Sequence, residues 1–259
     1  VAHSLSPVLH RAAYAALGLN WTYDAIDCGV PELPGVLAER ADWAGFSATM
    51  PLKHALLDAA AEVRERAALV GAANTLLPGA HGWVAENTDV AGIVAALTEH
   101  GVRPGTVTLL GAGGTAHAAL SALGELGVTD CTALVRNLSR TGRLLAAADR
   151  IGVRVCLAEL APDSPALAAD LVLSTLPPHA ADACAARRWT AEQAVLDVVY
   201  RPWPTPLAAA ARAGGAAVVS GALMLLHQAA EQVRLMTGRD APVEAMRAAL
   251  RAAAPGCGV

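Results

Sequence analysis

From residue 107 to residue 219 the chain repeats one rhythm, a short apolar run followed by a helical stretch and then another apolar run. The runs are Val107–Leu110, Cys131–Val135, Val153–Cys156, Leu171–Ser174, Val195–Val198 and Ala217–Val219. Most lack the alternation of a strand with one wet face, so both faces must be covered, and the intervening helices supply the covers. The pattern predicts an α/β fold with a doubly wound parallel sheet. Apolar residues make up 54% of the chain and aromatic ones only 3%, so its core must be built from Ala, Val and Leu.

The first of these strands leads into Gly111, Ala112, Gly113, Gly114, Thr115 and Ala116, a G-x-G-x-x-A loop between a strand and a helix. Glycines there permit a tight turn and let the backbone approach a pyrophosphate at the positive end of the helix. The alternative is a purely structural glycine turn. After the second strand an NAD site usually carries an acid that holds the ribose 2′-hydroxyl. This chain has Arg136 instead, with Arg140 one turn later, and two guanidiniums suit a 2′-phosphate. NADP is favoured over NAD. A solvated basic helix start is the other reading, and the helix dipole opposes it.

More than a hundred residues precede the loop, and they are expected to form the other wall of a cleft. Ser6 is read as the N-cap of a helix with Pro7 at N1 and Gly18 as its stop. Trp21–Asp27 alternates like a strand, Pro31–Arg40 is helical, and Trp43–Ala48 is a second strand. A helix is expected to open at Pro51, with Lys53 in its first turn. Ala73–Pro78 and Gly82–Ala85 read as a hairpin around Gly79-Ala80-His81, and Asp89–His100 as a helix capped by Asp89. Two helices, Gly221–Met236 and Pro242–Ala252, close the chain.

Lys53 is the only lysine; the other eighteen basic side chains are arginine. An ammonium can release a proton near working pH when its surroundings lower its pKa, and a guanidinium cannot. A lysine kept in so arginine-rich a chain hints at proton transfer, against the alternative of one lysine left on a solvated helix.

Composition excludes several function classes. A formal charge of −4 gives no reason to expect nucleic acid or an anionic membrane as partner. The five cysteines are scattered and form no C-x-x-C pair, and the eight histidines show no ligand spacing, so no metal is expected and reduced thiols point to the cytoplasm. The longest apolar run, Ala216–Leu226, is far shorter than the ~20 residues that span a bilayer.

Eight segments taken in order carry a resemblance. They are H-S-L-S-P at 3–7, T-M-P-L-K at 49–53, G-A-A-N-T at 71–75, N-T-D at 87–89, G-A-G-G-T-A at 111–116, D-V-V-Y-R-P at 197–202, T-P-L at 205–207 and M-L-L-H-Q at 224–228. Together they resemble the shikimate dehydrogenase family through nearly the whole chain. The resemblance implies a Rossmann cofactor domain at 92–221 and an α/β substrate domain formed by 1–91 and 222–259, with a cleft between them. It implies that Ser4, Ser6, Thr49, Asn74, Asn87, Asp89 and Gln228 hold shikimate or 3-dehydroshikimate, and that Lys53 and Asp89 are the catalytic pair. It places Gly221, Met224 and Tyr200 near the nicotinamide or substrate, and Arg136 on the 2′-phosphate of NADP.

Some positions depart from the family pattern. Ser47 stands where the family usually has Asn, Val135-Arg136-Asn137 keeps only the arginine of Asn-Arg-Thr, Leu173-Ser174-Thr175 replaces Asn-Ala-Thr, and Leu223 replaces a glycine. The family's first strand and glycine-rich stretch before H-S-L-S-P do not occur in the sequence, which suggests that an N-terminal piece is missing. The expected activity is NADPH-dependent reduction of 3-dehydroshikimate, a step toward chorismate and the aromatic amino acids. A quinate or dual quinate/shikimate dehydrogenase using NAD is the nearest rival, and a non-catalytic NADP-binding regulator the rival from another class. The partners expected are a small-molecule substrate and, for assembly, a second copy in a homodimer.

Overall fold

The computed structural model describes residues 4–259, so His3 of the first motif lies outside the described residues. The chain divides into two compact units, one containing the residues up to Gly92 together with Leu225–Pro255, the other Ile93–Met224 with Gly256–Val259.

The first unit contains α1 (Ser6–Ala16), α2 (Leu33–Glu39), β1 (Phe46–Ser47), α3 (Ala55–Ala59), β2 (Glu62–Val63), α4 (Glu65–Val70), β3 (Thr75–Gly79), β4 (Gly82–Glu86) and the start of α5 (Asp89–Glu99). Its four-stranded sheet runs β1-β3-β4-β2; β1 and β3 pair antiparallel, as do β3 and β4, while β2 pairs parallel to β4. Leu33, Leu37, Leu56, Ala67, Ala73, Leu76 and Ala85 form its buried core. The expected hairpin is present but tighter, with Gly79 pairing Gly82 so that only Ala80 and His81 turn.

Three expectations in this unit are corrected. Ser6 does not cap α1: Leu5 occupies the N-cap, no side chain bonds there, and Ser6 is the first helical residue. The helix expected at Pro51 starts only at Ala55, so Lys53 lies in the turn before α3. Trp21–Asp27 forms no strand. Its inward residues are Tyr23 and Ile26, three apart and so not alternating, and the segment lines a cavity of about 550 Å³ together with residues 41–48 instead of pairing with β1. Alternation in the sequence becomes a strand only where a neighbouring backbone offers a ladder.

The second unit contains β5 (Val107–Leu110), α6 (Gly114–Glu125), β6 (Asp130–Val135), α7 (Gly142–Ile151), β7 (Arg154–Glu159), β8 (Leu171–Ser174), β9 (Ala194–Asp197), α8 (Pro206–Ala213), β10 (Ala217–Ser220) and the start of α9 (Gly221–Thr237). α10 (Val243–Ala253) returns to the first unit and packs on α1. The six strands lie in the order β10-β9-β8-β5-β6-β7, all parallel. β5, β8 and β9 are buried along their whole length, as strands apolar on both faces should be. β7 is one of the two edge strands and runs on past Cys156 through the apolar Leu157 and Ala158 to Glu159, paired with β6 to its end. The strand order reverses at β5, and in such sheets ligands bind beyond the carboxyl ends of the strands at that switch point.

Gly221 opens α9 against the loop that follows β9, and Ser220 caps the helix through its hydroxyl, 3.3 Å from the Leu223 amide. A side chain at 221 would run into the backbone carbonyl of Val198. Gly221→Ala is therefore expected to destabilise the protein by about 1–3 kcal/mol through overpacking. Urea denaturation would show this as a lowered midpoint, whereas an unchanged midpoint would mean that the helix start can move aside at little cost.

Candidate active site

Asn74 lies at the centre of the first unit's polar cluster, just before β3. Its backbone amide donates to Glu86 O at 3.1 Å and its carbonyl accepts from Ala48 at 2.8 Å, so it is pinned between the strand containing Ser47 and β4. The neighbouring Ala73 amide donates to the Lys53 carbonyl at 2.8 Å, which ties the turn holding Lys53 to the same point. Two hydrophobic strands and a turn thus deliver one amide and one ammonium to the same place.

Lys53 Nζ donates to Asp89 Oδ2 in a close ion pair. The other carboxylate oxygen, Oδ1, accepts from Asn74 Nδ2 at 2.9 Å. The side chains of Lys53 and Asp89 are 13% and 8% exposed, so the pair is largely removed from water yet retains an opening. Asp89 is the first residue of α5, and the expected capping role falls to Asn87, whose Oδ1 accepts from the Asp89 amide at 3.0 Å. Asn87 Nδ2 donates to Ala72 O at 2.8 Å, so Asn87 braces the turn into α5. Gln228, on α9, accepts from Asn74 Nδ2 at 3.3 Å.

Lys53, Asp89, Asn74 and Gln228 are therefore joined directly, with Asn87 fastened to Asp89. Ser4 Oγ accepts from the Ser6 amide at 3.3 Å, and the Ser6 and Ser47 hydroxyls both hydrogen-bond Tyr23. Burial pushes the Tyr23 hydroxyl pKa up against those two bonds. Thr49 lies in the loop after β1, and its carbonyl accepts from the Leu52 amide at 2.9 Å.

The second unit holds the other expected residues. Gly111 follows β5 with φ +107°, a conformation that favours glycine, and a Cβ there would lie 2.6 Å from Thr175 Oγ1. Thr175 in turn donates to Leu110 O at 2.7 Å, clamping the loop from β8. Ala112 follows it, half-buried. Gly113 caps α6 in an extended conformation, and a Cβ there would meet open space. Gly114 and Thr115 form the helix's first turn, whose amides have no intrahelical acceptor. Arg136 stands immediately after β6 and Arg140 ends a single 3₁₀ turn at 138–140; both are exposed. Tyr200 lies in the loop after β9, where burial pushes its hydroxyl pKa up, and Met224 is buried in α9.

His10 and Gln232 have no place in the sequence reading, and Thr75 and Thr88 enter it only as members of the motifs at 71–75 and 87–89. All four are buried and belong to the same polar cluster. A usable signal existed, since Ser6 and His10 on α1 and Gln228 and Gln232 on α9 stand four residues apart, on one face of each helix. Among the described residues no group of side chains could hold a metal ion, and no helix is long and apolar enough to cross a membrane.

Two family profiles match the chain, "Shikimate dehydrogenase substrate binding domain" over residues 1–76 and "Shikimate 5'-dehydrogenase C-terminal domain" over residues 221–251. The shikimate dehydrogenase (NADP(+)) of Halobacterium salinarum is 39% identical, with 97% of this chain and 96% of that protein covered. The crystal structure of Mycobacterium tuberculosis shikimate dehydrogenase superposes with a TM-score of 0.88 at 48% identity, covering 97% and 95% of the two chains. The Thermus thermophilus enzyme in complex with NADP(H) and shikimate gives 0.83 at 34% identity, covering 98% and 96%. Quinate dehydrogenase from Corynebacterium glutamicum in complex with NAD gives 0.84 at 30% identity, covering 96% and 95%.

Burial of His10 has a measurable consequence. Desolvation lowers its pKa from 6.5 to about 4, and the Gln232 hydrogen bond only partly opposes this. Between those values the unfolded chain binds a proton that the folded one refuses. The stability from neutral His10 is therefore complete above about pH 6.5 and lost as the pH falls toward about 4, at a slope approaching about 1.4 kcal/mol per pH unit. Urea midpoints across this range should fall less steeply for His10→Gln than for the wild type. Parallel curves would show that the acid loss comes from other groups.

Proposed function

The chain belongs to the shikimate dehydrogenase family, and on that premise we propose that Lys53 and Asp89 are its catalytic pair. The protein is an NADP-dependent oxidoreductase that forms shikimate reversibly from 3-dehydroshikimate. The observation that carries the residue assignment is the largely sheltered ion pair, in which Asn74 occupies the carboxylate oxygen that Lys53 leaves over.

The second unit fits the cofactor. Gly111 and Gly113 give a backbone that a pyrophosphate can approach, the first turn of α6 supplies amides, and Arg136 with Arg140 suit the 2′-phosphate. Tyr200, Gly221 and Met224 would lie toward the nicotinamide end. NADPH, when bound, supplies the hydride for the ketone carbon.

Lys53 supplies the proton. As negative charge develops on the ketone oxygen, the ammonium donates a proton to it, and in the reverse direction the neutral amine takes that proton from the shikimate hydroxyl. Asp89 holds and aims Nζ through its Oδ2. Because the charge on oxygen appears only in the transition state, Lys53 acts on turnover more than on binding. Ser4, Ser6, Thr49, Asn74, Asn87 and Gln228 would hold the hydroxyls and carboxylate of the substrate. On this reading, residues 1–91 and 222–259 form the substrate domain and 92–221 the cofactor domain. The enzyme is read as cytoplasmic, with its five cysteines free thiols, and as a homodimer, which light scattering would test against a monomer.

Quinate is the second substrate to assay, because a quinate dehydrogenase is among the similar structures. NADP and NAD reduction with shikimate and with quinate should show the highest kcat/KM for shikimate with NADP.

Lys53→Ala should lower kcat by on the order of a hundredfold or more with little change in KM for shikimate. Lys53→Arg should be nearly as poor, since guanidinium does not release a proton. Near-normal turnover in Lys53→Arg would remove the proton-transfer assignment.

Arg136→Ala should weaken kcat/KM for NADP by about ten- to a hundredfold, the equivalent of a lost charged hydrogen bond, and leave NAD use almost unchanged. Equal losses with both cofactors would mean that Arg136 supports the fold instead of the phosphate.

A further inference from the structure

We propose that His10, Gln232 and Thr75 are positioning residues, a one-way hydrogen-bond relay that sets the orientation of the Asn74 amide against Asp89. The proposal rests on the reading of Lys53 and Asp89 as the catalytic pair. The three residues are 0%, 1% and 0% exposed, so none of them is positioned to meet the substrate.

The direction of the relay follows from groups that can play only one part. Gln232 Nε2 lies 3.4 Å from the backbone oxygen of Asn74 and 2.9 Å from Thr75 Oγ1. A backbone oxygen only accepts, so this end of the Gln232 amide is the donor. Its oxygen therefore faces His10 Nε2, at 3.2 Å. That nitrogen must carry the imidazole hydrogen, which leaves Nδ1 to accept from the Tyr14 hydroxyl at 3.3 Å. Thr75 Oγ1 takes a hydrogen bond from Gln232 and passes its own hydrogen to Asn74 Oδ1 at 2.9 Å. With its oxygen so occupied, Asn74 turns its amide nitrogen to Asp89 Oδ1 at 2.9 Å.

Every bond runs from His10 toward the carboxylate. Hydrogen bonds in series in a low-dielectric interior polarise one another, so removing one link weakens the next. The Thr88 amide also donates to Asn74 Oδ1, at 2.8 Å, so the relay shares the task of orienting Asn74. Breaking it should lower activity by a modest factor without abolishing it. Burial keeps His10 neutral, as the relay requires, and the ring stacks on Tyr23 at 4.2 Å between centroids.

Two measurements test the relay. Histidine ¹⁵N shifts at pH 7, with His10 identified by its loss in His10→Gln, should show a neutral ring protonated at Nε2. In Thr75→Val, which removes the hydroxyl and keeps the shape, kcat should fall about five- to tenfold, while KM for NADP changes by less than about twofold. Thr75→Ser, which restores the hydroxyl, should recover kcat to within about twofold. The opposite tautomer would overturn the relay whether or not the Thr75→Val protein folds. A folded Thr75→Val with wild-type kcat, or a Thr75→Ser that fails to recover, would overturn it as well. Failure of the premise reads differently: Lys53→Ala would then keep its turnover. If Lys53→Ala is inactive and Thr75→Val is not, the relay alone is wrong.

Discussion

A charge pair lying largely out of water is the constraint around which the first unit is arranged. Moving an ammonium and a carboxylate into the interior is costly, and mutual attraction offsets the cost only when the remaining donors and acceptors are also met. Asp89 shows how this is done: one oxygen faces Lys53, the other faces Asn74, and its backbone amide bonds Asn87. Each of those groups needs partners in turn, which is why residues 72–75, 87–89 and 228–232 carry Asn, Thr and Gln at positions where simple amphipathic patterning would place apolar side chains. The hairpin β3–β4 with the residues flanking it, the start of α5 and the middle of α9 carry this cluster.

The second unit solves a different problem with different means. An anion of variable shape is best met by backbone amides, and backbone can approach only where side chains are missing. Gly111 is confined by Thr175, whereas Gly113 faces open space, so one glycine shapes the loop and the other clears it. Arg136 stands at the end of the neighbouring strand, where on the proposed reading its charge would add specificity. In the first unit side chains form the candidate site and the backbone provides the frame; on the proposed reading those roles are exchanged in the second.

The two units were unequally legible for the same physical reason. Strands buried on both faces write themselves as apolar runs, so β5, β8 and β9 were found with bounds displaced by at most one residue. The first unit has strands of two residues, Phe46–Ser47 and Glu62–Val63, too short to carry any period. Glu62–Val63 was not anticipated at all, and its residues are exposed, so nothing hydrophobic marks it. Trp21–Asp27 failed in the opposite direction: its alternation was visible, but whether alternation becomes a ladder depends on a neighbour that local sequence does not name. Lys53 was placed in a helix for a similar reason, since Pro51 is as compatible with the turn it occupies as with a helix start.

The charged members of the site and the amides Asn74, Asn87 and Gln228 stand in motifs that the sequence displays, whereas His10 and Gln232 behind them do not. Lys53 could be singled out because a lone lysine among arginines is a chemical choice visible in composition, and Asp89 because it ends the N-T-D segment that carries the family resemblance. His10 and Gln232 have no such signature; a buried histidine and a buried glutamine look like any others until their neighbours are known. Their order also depends on direction, which residue names do not carry. Amides, hydroxyls and neutral imidazoles both give and receive hydrogen bonds, so a string of them is undetermined by itself. It acquires a sense only where it meets groups with one part to play: the Asp89 carboxylate at one end, and the Asn74 carbonyl and Thr88 amide along the way. Those backbone groups are brought into place by strand pairing. The polarity of the cluster is thus a property of the fold, and it ends on the carboxylate that pairs with Lys53.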